Sequence, residues 1–331
     1  MKKPLFLSCS VLLIAGLGAT SPSTPITIQT PLAISQLSQG SGNSTRAVQP
    51  KIELLDAGAQ PRQQLTFKPA ANAKQTTLLT MEMDMVGTVD GQVMPTLDFP
   101  TVTMTLESQV TKVDANGDIH IELFYSDVAV ASDTTAPPEV IETMRSQLQA
   151  ITQMRMSYAI DNQGKTKNVK VVLPENLDPN IKPWIEQMLS SLEQLSGLPF
   201  PGEAVGVGAK WRLSSPLPDG GIPLNNLTVL YELVTIQDNS LDVKFTMEPQ
   251  STPQALSEFN LPGLPPGLDV DIKSFALQST GTITLGLDRI LPTSGTMSVG
   301  STMEFAIKEP NSKAETLLNM RSSIKITMNS Q

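Results

Sequence analysis

The chain has one cysteine, one histidine, two tryptophans and three tyrosines in 331 residues, and each scarcity removes a class of chemistry. A single cysteine, Cys9, cannot close an intrachain disulfide. A single histidine, His120, excludes a metal site built on two or three imidazoles and would have to serve alone in any histidine-dependent triad. His120 stands on the polar side of an alternating run, between Asp118 and Glu122, where a solvated strand position is its ordinary reading. Sugar clefts usually carry aromatic platforms, and few rings are on offer. Basic runs are absent too. With 23 Lys and Arg against 32 Asp and Glu, a formal net charge of −9, the surface is acidic, which argues against nucleic acid and anionic lipid headgroups as partners.

Signatures of nucleophiles and cofactors are missing as well. There is no G-x-S-x-G and no P-loop, and Gly206-Val207-Gly208 lacks a third glycine and runs into Trp211 where a helix should begin. Ser322-Ser323-Ile324-Lys325 has S-x-x-K spacing, but Ile324, Ile326 and Met328 alternate as a strand, which sends Ser322 and Lys325 to opposite faces. The run Asp114-Ala115-Asn116-Gly117-Asp118 opens like a calcium loop, yet the EF-hand positions for glycine and glutamate hold Ile119 and Tyr125. The expectation is therefore no metal, no cofactor and no catalytic residue. Glu82 and Asp84 share a strand face, with their carboxyls roughly 7 Å apart, which keeps a hydrolase as the third-ranked reading.

What is present begins at the N-terminus. Lys2 and Lys3, an apolar core from Leu5 to Leu17, and the small residues Gly16, Gly18 and Ala19 form the three parts of a cleavable secretory signal over residues 1–19. Cys9 lies inside that core, with Val11 to Leu17 after it, so the signal does not fit lipid attachment there. Cleavage removes the cysteine and two lysines, leaving 21 cations against 32 anions, a formal charge of −11. No later run approaches the about 18 apolar residues of a membrane span, so the mature chain is expected to be exported, to the periplasm or the extracellular space, without a transmembrane segment. Residues 20–50 are rich in Ser, Thr, Pro, Gln and Gly and lack aromatics, as a disordered linker does. Ordered structure is expected from near Leu65.

Period-2 alternation then dominates. Leu79, Met81, Met83 and Met85 alternate with polar residues, as do Val102, Met104 and Leu106, and Ile119, Ile121, Leu123 and Tyr125. Asn116-Gly117 between two such runs is a strong hairpin signal; further turns are expected at 161–164 and 238–240. Strands continue through 275–287, 297–307 and 324–328. Two helices interrupt them. Residues 137–153 place Val140, Met144, Leu148 and Ile151 on one face; residues 181–196 do the same with Ile181, Trp184, Met188, Leu192 and Leu195, with Asn180 as N-cap and Gly197 as stop. The fold class is thus mainly β with two helices, in antiparallel meander sheets that make an open half-barrel. Each half of the domain at 51–331 has a 22-residue insertion between hairpins (132–153 and 249–270), which allows two similar tandem halves, 65–197 and 198–331.

Methionine is abundant, 15 residues against 9 Phe. It recurs at inward strand positions, where an unbranched, polarizable side chain suits either core filling or an adaptable lipid-binding hollow. The segment 249–270 combines five prolines and two glycines with Leu256, Phe259, Leu261, Leu264 and Leu268, as a flap over an apolar face would. The candidate ligand-facing residues are Met81, Met83, Met85, Met104, Phe259, Leu261 and Leu264.

The most distinctive string is Leu198-Pro199-Phe200-Pro201 followed by Val205-Gly206-Val207-Gly208-Ala209-Lys210-Trp211. With the 161–164 hairpin and helix 181–196 before it, it resembles an uncharacterised family of exported bacterial proteins, a domain of unknown function with a Val-x-x-Gly-x-x-Trp motif and a second β half. The resemblance spans residues 51–329 and implies no catalytic residue, since that family has no assigned activity. On physical grounds the glycines let the chain turn sharply and Trp211 anchors the next strand in the core. The sheet-plus-helix design is also similar to periplasmic lipoprotein carriers, whose curved sheets hold acyl chains, an analogy of fold alone. The expected function is a non-enzymatic extracytoplasmic carrier or binding module for an apolar small molecule or lipid. The alternative is a structural or partner-binding envelope protein with a filled core.

Overall fold

A computed structural model describes residues 50–94, 97–132, 134, 136, 138–173, 198–216, 226–252, 269–308 and 315–331. The expected signal peptide, nearly all of the expected linker, the helix expected at 181–196 and the segment 253–268 with Phe259, Leu261 and Leu264 lie outside the described residues.

Among the described residues, fourteen strands and one helix follow in chain order: β1 (Lys51–Asp56), β2 (Lys74–Val89), β3 (Gln92–Val93), β4 (Leu97–Asp98), β5 (Val102–Val113), β6 (Ile119–Val130), α1 (Pro138–Ile151), β7 (Arg155–Ile160), β8 (Thr166–Val172), β9 (Lys210–Pro216), β10 (Asn226–Gln237), β11 (Ser240–Thr252), β12 (Asp269–Gly286), β13 (Ser294–Lys308) and β14 (Glu315–Ser330). All the strands belong to one sheet, ordered β1-β9-β10-β11-β12-β13-β14-β2-β5-β6-β7-β8, with β3 and β4 paired to β2. Every named pairing is antiparallel. The order has two ends, β1 and β8, so the sheet is open, as a half-barrel is. The meanders β5–β8 and β10–β13 share one order, each with its long connection between second and third strand.

Local chemistry accounts for the turns. Between β5 and β6, Asp114 N–H donates to the Asp118 carbonyl (2.8 Å) and Gly117 takes φ +89°, which asparagine-glycine turns accommodate cheaply. Between β10 and β11 only Asp238 and Asn239 intervene, with Asp238 at φ +52°. Helix α1 starts on Pro138, whose missing N–H costs nothing in a first turn. Its buried side is Ile141, Met144 and Leu148, laid against Val102, Val128 and Val130 of β5 and β6.

One expectation is corrected. Order does not wait for Leu65: β1 begins at Lys51, and Ile52 and Leu54 pair opposite Leu213 and Trp211 of β9. Composition of the preceding residues masks so short an alternation. The strand forms because β9, more than 150 residues later, supplies its partner.

One end of the curled sheet is closed by two irregular segments, 57–73 and 198–209. Phe67 N–H donates to the Asn162 carbonyl in the β7–β8 turn, Lys68 N–H to Leu287 beside β12, and Phe200 N–H to Gln163. Phe67 stacks on Phe200 with ring centroids 4.8 Å apart. These links tie sheet positions far apart in the strand order, and they cover a buried core containing Leu65, Phe200, Val205, Trp211, Leu233 and Leu241, each 0 % exposed. Trp211 does anchor its strand: its Nε1–H donates to the Pro199 carbonyl (3.1 Å) and its ring stacks on Tyr231. Gln75, buried at the start of β2, accepts the N–H groups of Ile290 and Leu291 and donates to the Leu291 and Pro292 carbonyls. It thereby satisfies a turn that would otherwise bury bare backbone.

Candidate ligand-binding face

Strand pairing brings together side chains that the sequence scatters. One register row runs from Val102 through Met81, Ile326, Met297, Gly281 and Phe245 to Tyr231 and Trp211, crossing eight strands. The next runs Met83, Ile324, Val299, Ser279, Met247 and Val229. Side chains of paired residues share a face, so these rows form the inner surface of the half-barrel. Among the described residues, its strand positions from β9 to β5 include no Asp, Glu, Lys or Arg. Glycine lets the surface pack closely where bulk crosses it: a Cβ on Gly281 would meet the Phe245 ring at 2.5 Å.

The outer face is the opposite in chemistry. A row of five threonines, Thr103, Thr80, Thr327, Thr296 and Thr282, crosses β5, β2, β14, β13 and β12. Two shallow hollows of 520 and 400 Å3 adjoin on this side and share Thr302 and Arg321. Glu82 pairs with Lys325 at 2.9 Å, which occupies one of the two carboxylates that suggested a hydrolase. The serine and lysine of the S-x-x-K match part as their strand alternation requires: Lys325 holds Glu82 outside, whereas Ser322 bonds Ser301 at 2.6 Å on the inner face.

The four described candidates, Met81, Met83, Met85 and Met104, all stand on the inner face but meet three environments. Met81 and Met104 pack with the cluster under helix α1. Met85 is 5 % exposed, part of the main core. Met83 is half-buried beside Ile324, in a central stretch of β12, β13, β14 and β2 where Leu277, Met297, Val299 and Ile326 are also half-buried. Sequence reasoning took the methionines and passed over Ile324, Ile326, Val299 and Ser279. The signal for the first three was the alternation already visible along their strands.

His120 belongs elsewhere. Its Nε2 lies 2.6 Å from Asp114 Oδ2, and Lys112 reaches the other oxygen of Asp114 at 2.6 Å. The Asp114 carboxyl is held below its ordinary range first by Lys112 and then by His120. Lys167, 2.8 Å from Asp118, does the same there. Both pairs brace the tips of neighbouring hairpins.

Asp242, on the outer face of β11, accepts hydroxyl hydrogens from Thr235 (2.6 Å) and Thr284 (2.7 Å), tying three strands. Those bonds, Thr235 first, lower its pKa from 3.8. A carboxyl lowered on folding adds stability above its unfolded pKa and loses it as pH falls through the folded value. Asp242→Asn is therefore expected to destabilise the fold at about pH 7, and the deficit to be smaller at an acid pH below the ordinary carboxylate range, where the native carboxyl takes up its proton. Urea unfolding at both pH values checks this; a deficit independent of pH refutes it.

Comparison with protein-family models and with curated proteins finds no match. Among solved structures, the chain is similar to one titled "lipid-protein interactions in lipovitellin", at a TM-score of 0.34 and 9 % identity. The match covers 78 % of this chain and 25 % of that one, so this chain spans a quarter of that protein's length.

Proposed function

We propose that this chain is an exported, non-enzymatic binding or carrier module for an apolar or lipid-like ligand, held against the inner face of its half-barrel sheet. The observation that carries the reading is the inner surface from β9 to β5, charge-free among the described residues, with half-buried Met83, Met297, Val299, Ile324 and Ile326 at its centre. Adaptable methionine and branched aliphatic side chains on a scaffold stiffened by long strands suit chains of variable shape. A filled-core structural or partner-binding envelope protein is the competing reading. It is favoured by the tight burial of Met85, Phe305, Leu318 and Met320 farther along the same face.

Titration of the mature chain with the neutral probe N-phenyl-1-naphthylamine separates the two. Saturable binding, displaced by a long-chain alcohol and abolished by Ile324→Asp with the far-UV spectrum intact, is the expected result. A wild type that binds no probe while unfolding cooperatively establishes the filled core instead.

A further inference from the structure

Near the centre of the inner face, three serines interrupt the half-buried apolar side chains. Ser301 and Ser322 are cross-strand partners whose hydroxyls lie 2.6 Å apart. Whichever of the two donates, the other keeps a hydrogen of its own to give. Ser279 pairs with Val299, one inward step along β13 from Ser301. It is 2 % exposed, and its Oγ has no hydrogen-bond partner. A buried hydroxyl without a partner costs free energy that alanine at the same place would not. Backbone geometry gives no reason for serine here, since alanine is as compatible with a strand of this kind.

We infer that Ser279, with Ser301 and Ser322 beside it, is the polar anchor for the single oxygen-bearing group of a neutral long-chain amphiphile. The inference rests on the carrier reading and adds the class of ligand. The group is an alcohol or ester, because the described inner face offers hydroxyls but no cation. An ionised carboxylate buried there would lack the pairing that offsets its desolvation.

The test is displacement of N-phenyl-1-naphthylamine from the mature chain by dodecane, dodecanol and dodecanoate. One neutral hydrogen bond is worth about 1 kcal/mol, about fivefold in affinity, so dodecanol is expected to bind about fivefold more tightly than dodecane, with dodecanoate weakest. Ser279→Ala is expected to erase the dodecanol preference, to leave dodecane affinity unchanged and to keep or raise the melting temperature. A merely structural serine would lower stability on replacement and leave the preference. Ser279→Cys, close in size and a weak donor, gives the same readout if the alanine variant does not fold. Equal affinity for dodecane and dodecanol in the wild type, or a preference that survives in the variant, overturns the inference while the carrier reading stands. Failure of the probe itself to bind removes both.

Discussion

Trp211→Ala is expected to cost about 3–5 kcal/mol, the range for truncating a large buried aromatic. Four contributions concentrate on this residue. The side chain is 0 % exposed. Its ring stacks on Tyr231 at 5.5 Å. Its indole N–H satisfies the Pro199 carbonyl. Its backbone pairs β9 with both β1 and β10. Removal opens a cavity in the closed end of the sheet and strands an acceptor there. Trp211→Phe keeps most of the packing and loses the hydrogen bond, so its deficit should be about 1–2 kcal/mol. Equilibrium denaturation of both variants measures the two contributions. A Trp211→Ala deficit under about 1 kcal/mol would mean that the closed end does not stabilise the fold as its burial implies.

The second large effect needs only one methyl group. A Cβ on Gly206 would stand 1.9 Å from the Ala59 carbonyl oxygen and 2.9 Å from that of Pro61. Both obstacles are backbone, which cannot swing aside as a side-chain tip can. The amide of Gly206 donates to Ala57, and Ala59 N–H donates to Val207, so the two irregular segments are laced together where the clash would fall. Overpacking of this kind costs about 1–3 kcal/mol even where neighbours relax. Here the expected relief is separation of residues 57–63 from 204–208. Gly206→Ala should therefore lower stability by at least that amount and expose the 57–63 segment to proteolysis under conditions where the wild type resists. Unchanged stability with unchanged cleavage would contradict the close approach of the two segments.

Much of this protein is legible from its residues one strand at a time. Alternation located β2, β5, β6, β12, β13 and part of β14, and it put Met81, Met83 and Met85 on one side of one strand, because successive side chains of an extended chain must point to opposite faces. Asn116-Gly117 and Asp238-Asn239 marked hairpins because residues there tolerate positive φ. Met144 and Leu148 on the buried side of α1 followed from helical periodicity, which passed over Ile141, and the separation of Ser322 from Lys325 followed from the strand. These are properties of neighbours in sequence.

Which strands are neighbours in space is another matter. β1 lies against β9 and β14 against β2, and nothing in the local pattern of Ile52 and Leu54, or of Ile324 and Ile326, names a partner more than 150 residues away. Long-range pairing is selected by the total burial it achieves, with one register consistent with every face at once. Only that choice divides the methionines among a helix-covered patch, a core and a half-open surface. Only it joins inner faces of eight strands into one wall, charge-free among the described residues, and sets Ser279, Ser301 and Ser322 within it. Periodicity thus determined what each strand shows on either side; the closed sheet end and the pairing order decided which sides meet, because burial is a property of the assembled surface and not of any segment alone.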